Sequence, residues 1–147
     1  MATNIQRSVT AILKSIEEDL EQVRTEFLKN MAEELVSRSP VDTGAYVTSH
    51  SIRTTSGAGR MRTSEGKPTQ QSAPAKREEA LGQLLGDIAS LPPDATKVYI
   101  NNKSPHNKFV EFGGFNWKTT PYLVYTHTFQ NAGSHLSAAV AKVKGSR

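Results

Sequence analysis

Residues 5–38 read IQRSVTAILKSIEEDLEQVRTEFLKNMAEELVSR, and their apolar side chains recur at steps of three and four. This spacing predicts one long amphipathic helix with a continuous apolar stripe. Ser39-Pro40 ends the pattern, because the residue before a proline is displaced from the α region. We expect a sheet of the same domain, or second a neighbouring subunit, to cover the stripe. The stripe comprises Ile5, Val9, Ile12, Leu13, Ile16, Leu20, Val23, Phe27, Met31 and Leu35.

A turn and a strand are predicted directly after this helix. Aspartate and threonine side chains cap local backbone amides, and glycine takes positive φ without strain. The turn residues are Pro40, Asp42, Thr43 and Gly44. β-Branched and aromatic residues are common from 46 to 55, and one face of that strand would carry Tyr46, Thr48, His50 and Ile52. We interpret the turn as structural, with a direct subunit contact as the alternative.

Residues 56–75, SGAGRMRTSEGKPTQQSAPA, contain few apolar side chains and predict an extended basic loop. Loops of this length inside a small domain tend to be functional or disordered. Three readings stay open for its cations: a solvated excursion, docking on a neighbouring ring or subunit, and non-specific contact with DNA phosphates. Docking is the functional hypothesis that we favour. The cations concerned are Arg60, Arg62 and Lys67.

The remainder of the chain alternates short elements. Residues 76–91 have helical spacing and stop at Pro92-Pro93, and residues 97–101 predict a short strand. Residues 109–112 predict a brief helical turn that Gly113 closes. A final helix and tail are expected within 122–147. Together these elements predict an α+β domain spanning 1–147, in which the long helix packs on a small, mainly antiparallel sheet beside a C-terminal helix and a long basic loop.

The composition limits the classes of function. The absence of cysteine removes disulfides, thiolate metal sites and cysteine nucleophiles. No run is apolar enough for a signal peptide or a membrane span, so we expect a soluble protein without a membrane partner, which stays where it is made. A net charge of +4 is moderate and does not by itself indicate nucleic-acid binding.

Catalytic and metal-binding patterns are missing from the sequence. The histidines, at 50, 106, 127 and 135, lack the spacing of metal ligands. Gly66-Lys67 lacks the surrounding residues of a phosphate loop, and no serine is framed by glycines as a nucleophile. We therefore predict no catalytic residue, no metal site and no cofactor, and a protein that is not an enzyme.

Three short motifs, in this order after a long helix, carry a family resemblance. The first is the turn at 40–44, and the second is a strand that ends in paired asparagines, Asn101-Asn102. The third is an aromatic segment ending in glutamate-aromatic-glycine, followed by Tyr122 ahead of the last helix. Its residues are Phe109, Glu111, Phe112 and Gly113. The chain resembles the tail-completion, or head-to-tail joining, family of tailed bacteriophages.

The resemblance implies a structural virion protein of the phage neck, assembled in the host cytoplasm as a homo-oligomeric ring, often a hexamer. Implied partners are the tail terminator or tail tube protein and the head connector or adaptor, with non-specific contact to packaged DNA as a further expectation. Phe109, Phe112, Gly113 and Tyr122 would then serve packing or subunit contact. Glu111 would cap backbone amides or pair with a cation. The alternatives are a head-side adaptor ring and a non-specific nucleic-acid-binding protein.

Overall fold

The computed structural model describes residues 4–41, 44–57, 59–61, 73–105, 107–113 and 121–146, with the backbone alone at 4–10, 12 and 13. It is an α+β structure, as the sequence predicts. The elements are α1 (Asn4–Arg38), a 3-10 turn (Val47–Ser49), β1 (His50–Arg53), α2 (Ala73–Ala89), β2 (Tyr99–Asn102), α3 (Asn107–Phe112), α4 (Val124–Gln130) and α5 (Ala132–Gly145).

The long helix α1 organises the domain. Its C-terminal half packs against α2, α4 and α5, and its apolar residues meet those of α2 above the sheet residue Ile52. This cluster consists of Leu28, Ala32, Val36, Val47, Ile52, Ala80, Leu84, Ile88 and Leu91. A second cluster joins the end of α1 to α3 and α4 through Leu35, Tyr46, Val110 and Val124. The two clusters bury the stripe only over the second half of the helix.

The sheet formed by the described residues has two antiparallel strands, β1 and β2. His50 lies opposite Asn102, and Ile52 lies opposite Ile100. Both faces of β1 are covered, because His50, Ser51 and Ile52 are all buried. A four-residue strand with two buried faces is therefore a central element of the core, although it has only one strand neighbour.

The predicted strand over 46–55 was wrong in its first half. Residues 47–49 form the 3-10 turn, and only His50–Arg53 is extended. The hydroxyl of Thr48 donates to the carbonyl of Gly44 (2.6 Å), and that of Ser49 donates to the carbonyl of Ala45 (2.6 Å). Such bonds to the fourth preceding carbonyl satisfy the backbone in a helical turn, which outweighs the β propensity of the side chains.

The predicted C-terminal helix is two helices in the structure. α4 ends at Gln130 and α5 begins at Ala132, with Asn131 between them at φ −90° and ψ 4°. The backbone amide of Asn131 still bonds to the carbonyls of His127 and Thr128. The break redirects the chain so that α5 lies along α1, while α4 packs against α1 and α3 and reaches β1 through Tyr125.

Candidate assembly surfaces and the buried network behind them

His50 is the centre of a buried polar network. Its side chain lies on β1 and is 1% exposed. Nε2 is 2.7 Å from the hydroxyl of Ser39, and Nδ1 is 2.7 Å from the hydroxyl of Tyr125. The amide nitrogen of Asn102 lies 3.2 Å from Nδ1 and donates to the carbonyl of Tyr46 at 2.8 Å. One imidazole thus joins the end of α1, both strands and α4.

The partners of the ring assign its tautomer. Ser39 donates its hydroxyl proton to the carbonyl of Leu35 (2.6 Å), so it accepts from Nε2–H of His50. Nδ1 then accepts from Tyr125 and faces the donating amide of Asn102. Burial, and to a smaller extent the nearby cation of Arg60, lowers the pKa of His50 to about 3. The ring is therefore neutral in the folded protein at neutral pH.

The Ser39-His50 pair has the distance of a nucleophile and its base but not the chemistry. The serine proton points to a backbone carbonyl, and the imidazole donates to the serine instead of accepting from it. Both side chains are buried, so no acyl group can reach the oxygen. A nucleophile needs a base positioned to accept its proton. This pair orders the core and does not supply hydrolytic chemistry.

A second network closes the outer edge of β1. The backbone amide of Ile52 donates to the buried carboxylate of Asp87 on α2 (3.0 Å). Asp87 also forms ion pairs with Arg53 (2.5 Å) and Arg60 (2.6 Å). Arg60 in turn donates to the carbonyl of His50. Side chains from α2 and from the segment after β1 therefore take the place of a third strand.

This arrangement changes the interpretation of the basic loop. The guanidinium of Arg60 is bound within its own chain, whereas the sequence analysis proposed that Arg60 docks on another molecule. Its side chain is only 17% exposed. Arg62 and Lys67 lie outside the described residues. The loop was predicted to extend to residue 75, but α2 already begins at Ala73.

The predicted turn is described only at its two ends. Pro40 is half-buried, and Gly44 is buried with a φ of +85°. A Cβ at Gly44 would meet the aliphatic chain of Lys76 at 2.7 Å, so glycine is required both for the backbone angle and for the contact with α2. Asp42 and Thr43 lie outside the described residues.

Glu111 caps α4, which is one of the two roles that the sequence left open for it. The residue before α4, Leu123, has a φ of 50° and makes no side-chain capping bond. The buried carboxylate of Glu111 instead accepts from the amides of Tyr125 (2.9 Å) and Thr126 (2.8 Å). A carboxylate at this position satisfies two amides that the helix leaves unpaired and complements its dipole.

We expect Glu111→Gln to lower the free energy of unfolding by about 1 to 2 kcal/mol, because one accepting oxygen and the charge are lost at the start of α4. Urea unfolding followed by circular dichroism measures this difference. Glu78→Gln, on the exposed face of α2, is the control and should change stability little. Equal stabilities of the two variants would contradict the capping role.

The other residues of the aromatic segment point outward. Phe109 is 46% exposed, Phe112 69% and Tyr122 42%. Gly113, at φ +78°, ends α3 and donates to the carbonyl of Phe109 (2.8 Å), and the amide of Tyr122 returns to the carbonyl of Val110 (3.0 Å). Phe109 and Phe112 are three residues apart and therefore share one side of α3, and the bond to Val110 brings Tyr122 close to the same helix. We call Phe109, Phe112 and Tyr122 the aromatic patch.

The first half of α1 is a second exposed apolar surface. Ile16 is 48% exposed and Leu20 is 64% exposed, although both belong to the stripe that continues into the buried residues Met31 and Leu35. Between 14 and 22 every side chain except Asp19 is exposed. We call the surface around Ile16 and Leu20 the α1 face. Nothing described in the subunit covers it, so the sheet is not the partner of this half of the helix.

The two buried networks were largely missed from the sequence. Asp87 sits on the apolar face of α2 between Leu84 and Ile88, and an acid at such a position is a sign of a buried ion pair. His50 falls within the buried pattern of β1 but gives no sign of its partners. Among the described residues, no group of three or more histidine or acidic side chains could hold a metal ion. None of the helices in the described ranges is long and apolar enough to cross a membrane.

Comparisons with protein-family models, with curated proteins and with solved structures found no match to this chain.

Proposed function

We propose that this chain is a structural protein of the tailed-phage neck, which completes the tail and joins it to the head connector as a ring of identical subunits. Its partners in this proposal are its own copies, the tail terminator or tube protein, and the head connector or adaptor. The motif order after the long helix supports the family, and the exposed apolar surfaces support assembly. The virion neck is the proposed location.

One observation carries the proposal: the chain exposes two apolar surfaces that lie far apart. The aromatic patch lies on α3, whose residue Val110 packs near Leu35, whereas the α1 face centres on Leu20. The 15 residues from Leu20 to Leu35 span roughly 22 Å of helix at 1.5 Å per residue. Exposed apolar patches of this kind mark contacts with other proteins, and two of them on one subunit allow a contact to repeat around an axis.

The geometry also supports a role without catalysis. The only serine-histidine pair that resembles a catalytic pair in the described residues is sealed in the core with its proton committed to Leu35. The cation of Arg60, which could have contacted nucleic acid, is paired with Asp87. Assembly through complementary surfaces therefore explains more of the structure than either an enzyme or a nucleic-acid-binding protein does.

The proposal predicts that the purified protein binds to the head-proximal end of isolated tails lacking it and makes them competent to join heads. Negative-stain imaging locates the ring, and the yield of infectious particles in a head-tail joining assay measures its activity. Addition should raise that yield by at least tenfold. A ring found on the head vertex and never on tails would instead support the adaptor alternative, and no gain with either partner would contradict the neck role.

The basic loop can be tested in the same assay by replacing residues 62–71 with a glycine-serine segment of equal length. This replacement removes the cations of the loop and keeps its length, Arg60 and the start of α2, so the Asp87 network can stay in place. Loss of joining with an unchanged ring would assign the loop to contact with a neighbouring ring. Normal joining would show that the loop does not dock. A change in the binding of duplex DNA, measured across salt concentrations, would instead support contact between the loop and DNA phosphates.

A further inference from the structure

The α1 face has a shape and a charge that select its occupant. Ile16 and Leu20 form its apolar centre, and the exposed carboxylates of Glu17 and Glu21 lie along one flank. Beside Leu20, a groove of about 540 Å³ runs between α1 and the residues 93–95. A groove of this size beside an exposed leucine accepts a protruding apolar side chain. The charged side chains that line this groove are four acids, Glu17, Glu18, Glu21 and Asp94, and two cations, Lys14 and Arg24. The lining is therefore net acidic and favours a partner with a basic rim.

The aromatic patch has the complementary properties. Phe112, at 69% exposure, is its most prominent side chain. The cation Lys108 is exposed and lies one helical turn before Phe112 on α3, which places it at the rim of the patch. The acid of α3, Glu111, is buried as the cap of α4. The patch is thus an apolar centre with a positive rim.

The two surfaces cannot meet within one subunit, because α3 packs beside Leu35 and the α1 face lies roughly 22 Å away along a straight helix. A helix segment of this kind is marginal without a partner, since most helical stability in proteins comes from packing of the apolar face. A second copy of this chain supplies both the prominent ring and the positive rim. Contact between unlike surfaces is heterologous and can close into a ring.

We propose that the α1 face of one copy docks on the aromatic patch of the next copy, with Phe112 entering the groove beside Leu20. This inference rests on the proposed ring and names the contact that builds it. In this contact Lys108 of one copy faces the carboxylates of Glu17 and Glu21 on the next copy. The contact repeats head to tail, so each subunit uses both surfaces once.

The test uses two variants of the full chain. The α1-face variant carries Ile16→Lys and Leu20→Lys, and the patch variant carries Phe112→Lys and Tyr122→Lys. All four side chains are exposed, so both variants should fold, which circular dichroism and thermal unfolding verify. Mass photometry and sedimentation are run with and without tails. Leu85→Lys, at an exposed leucine of α2, is the control that should still form rings.

Each variant alone is expected to shift from the ring to the monomer mass of 16.1 kDa. When the two are mixed, the intact α1 face of the patch variant meets the intact patch of the α1-face variant. The mixture should therefore give a capped 1:1 dimer of twice the monomer mass, and no ring. This product is specific to a heterologous contact between these two surfaces.

Three results would overturn the inference. Rings that persist in either variant place the contact elsewhere and leave the neck proposal standing. Dimers of the patch variant alone would show that two α1 faces meet each other. A mixture that stays monomeric would show that the surfaces do not pair. Wild-type protein that stays monomeric and never binds tails would instead count against the neck proposal itself.

Discussion

Replacing Asp87 with asparagine is expected to lower the free energy of unfolding by about 3 kcal/mol, because breaking a buried ion pair leaves an uncompensated charge in the core. Asp87 is 7% exposed and holds two arginines together with the amide of Ile52. Asparagine keeps the shape and one accepting oxygen but loses the charge. The guanidinium of Arg60, bound over the outer edge of β1, would lose its counterion.

Chemical unfolding of the wild type and the variant measures this difference. Asp94→Asn, in the exposed loop before β2, removes one carboxylate from the surface and should change stability by less than about 0.5 kcal/mol. Because Asp94 is exposed, the Asp94→Asn variant measures the effect of losing one negative charge without losing the Asp87 network. If Asp87→Asn were as stable as Asp94→Asn, the network would not hold α2 against the sheet.

The stability of the wild type is expected to fall by roughly 1.6 kcal/mol between pH 6.5 and 5, as a result of His50 alone. Burial lowers the pKa of this ring from 6.5 to about 3, so the unfolded chain binds a proton in this window and the folded protein does not. The stabilisation is therefore complete above pH 6.5 and is lost as the pH falls toward 3. The limiting slope is about 1.4 kcal/mol per pH unit.

The variant His50→Asn isolates this effect. It should be less stable than the wild type at pH 7, because partners of the ring are left unpaired in the core, but its stability should change less between pH 6.5 and 5. His127→Asn, at a half-buried position of α4, is the matched control and should keep the wild-type slope. This pH window lies above the usual pKa range of carboxylates. The pKa values of Glu26 and Glu34 are lowered, so these groups affect stability only at lower pH. Parallel slopes for the wild type and His50→Asn would contradict a neutral buried ring.

The long helix α1 could be predicted from the sequence because its periodicity is local, whereas the break between α4 and α5 could not. α1 was predicted from 5 to 38 and runs from Asn4 to Arg38. The extent of β1 could not be predicted, because a count of β-branched residues does not detect the helical turn that the hydroxyls of Thr48 and Ser49 stabilise. Periodicity also does not say what covers a stripe, so the exposure of Ile16 and Leu20 required the structure.

The buried networks were out of reach for a different reason. Arg60 and Asp87 are 27 residues apart, and Ser39 and Tyr125 are 11 and 75 residues away from His50 along the chain. Only the packing of α2 and α4 around the sheet brings these groups together. The cap at α4 was partly foreseen, because capping of backbone amides was one of the two roles that the sequence left open for Glu111. The assembly role of Phe112 and Tyr122 remains a prediction.

The closed edge of β1 also protects the protein against aggregation. An open strand border is a template on which a second chain can add by backbone pairing, and such growth has no fixed end point. The carboxylate of Asp87 and the guanidinium of Arg60 occupy that border with charge. Loss of either group would therefore do more than weaken the fold: it would leave backbone groups of β1 open to pairing with another chain, and we expect such variants to aggregate.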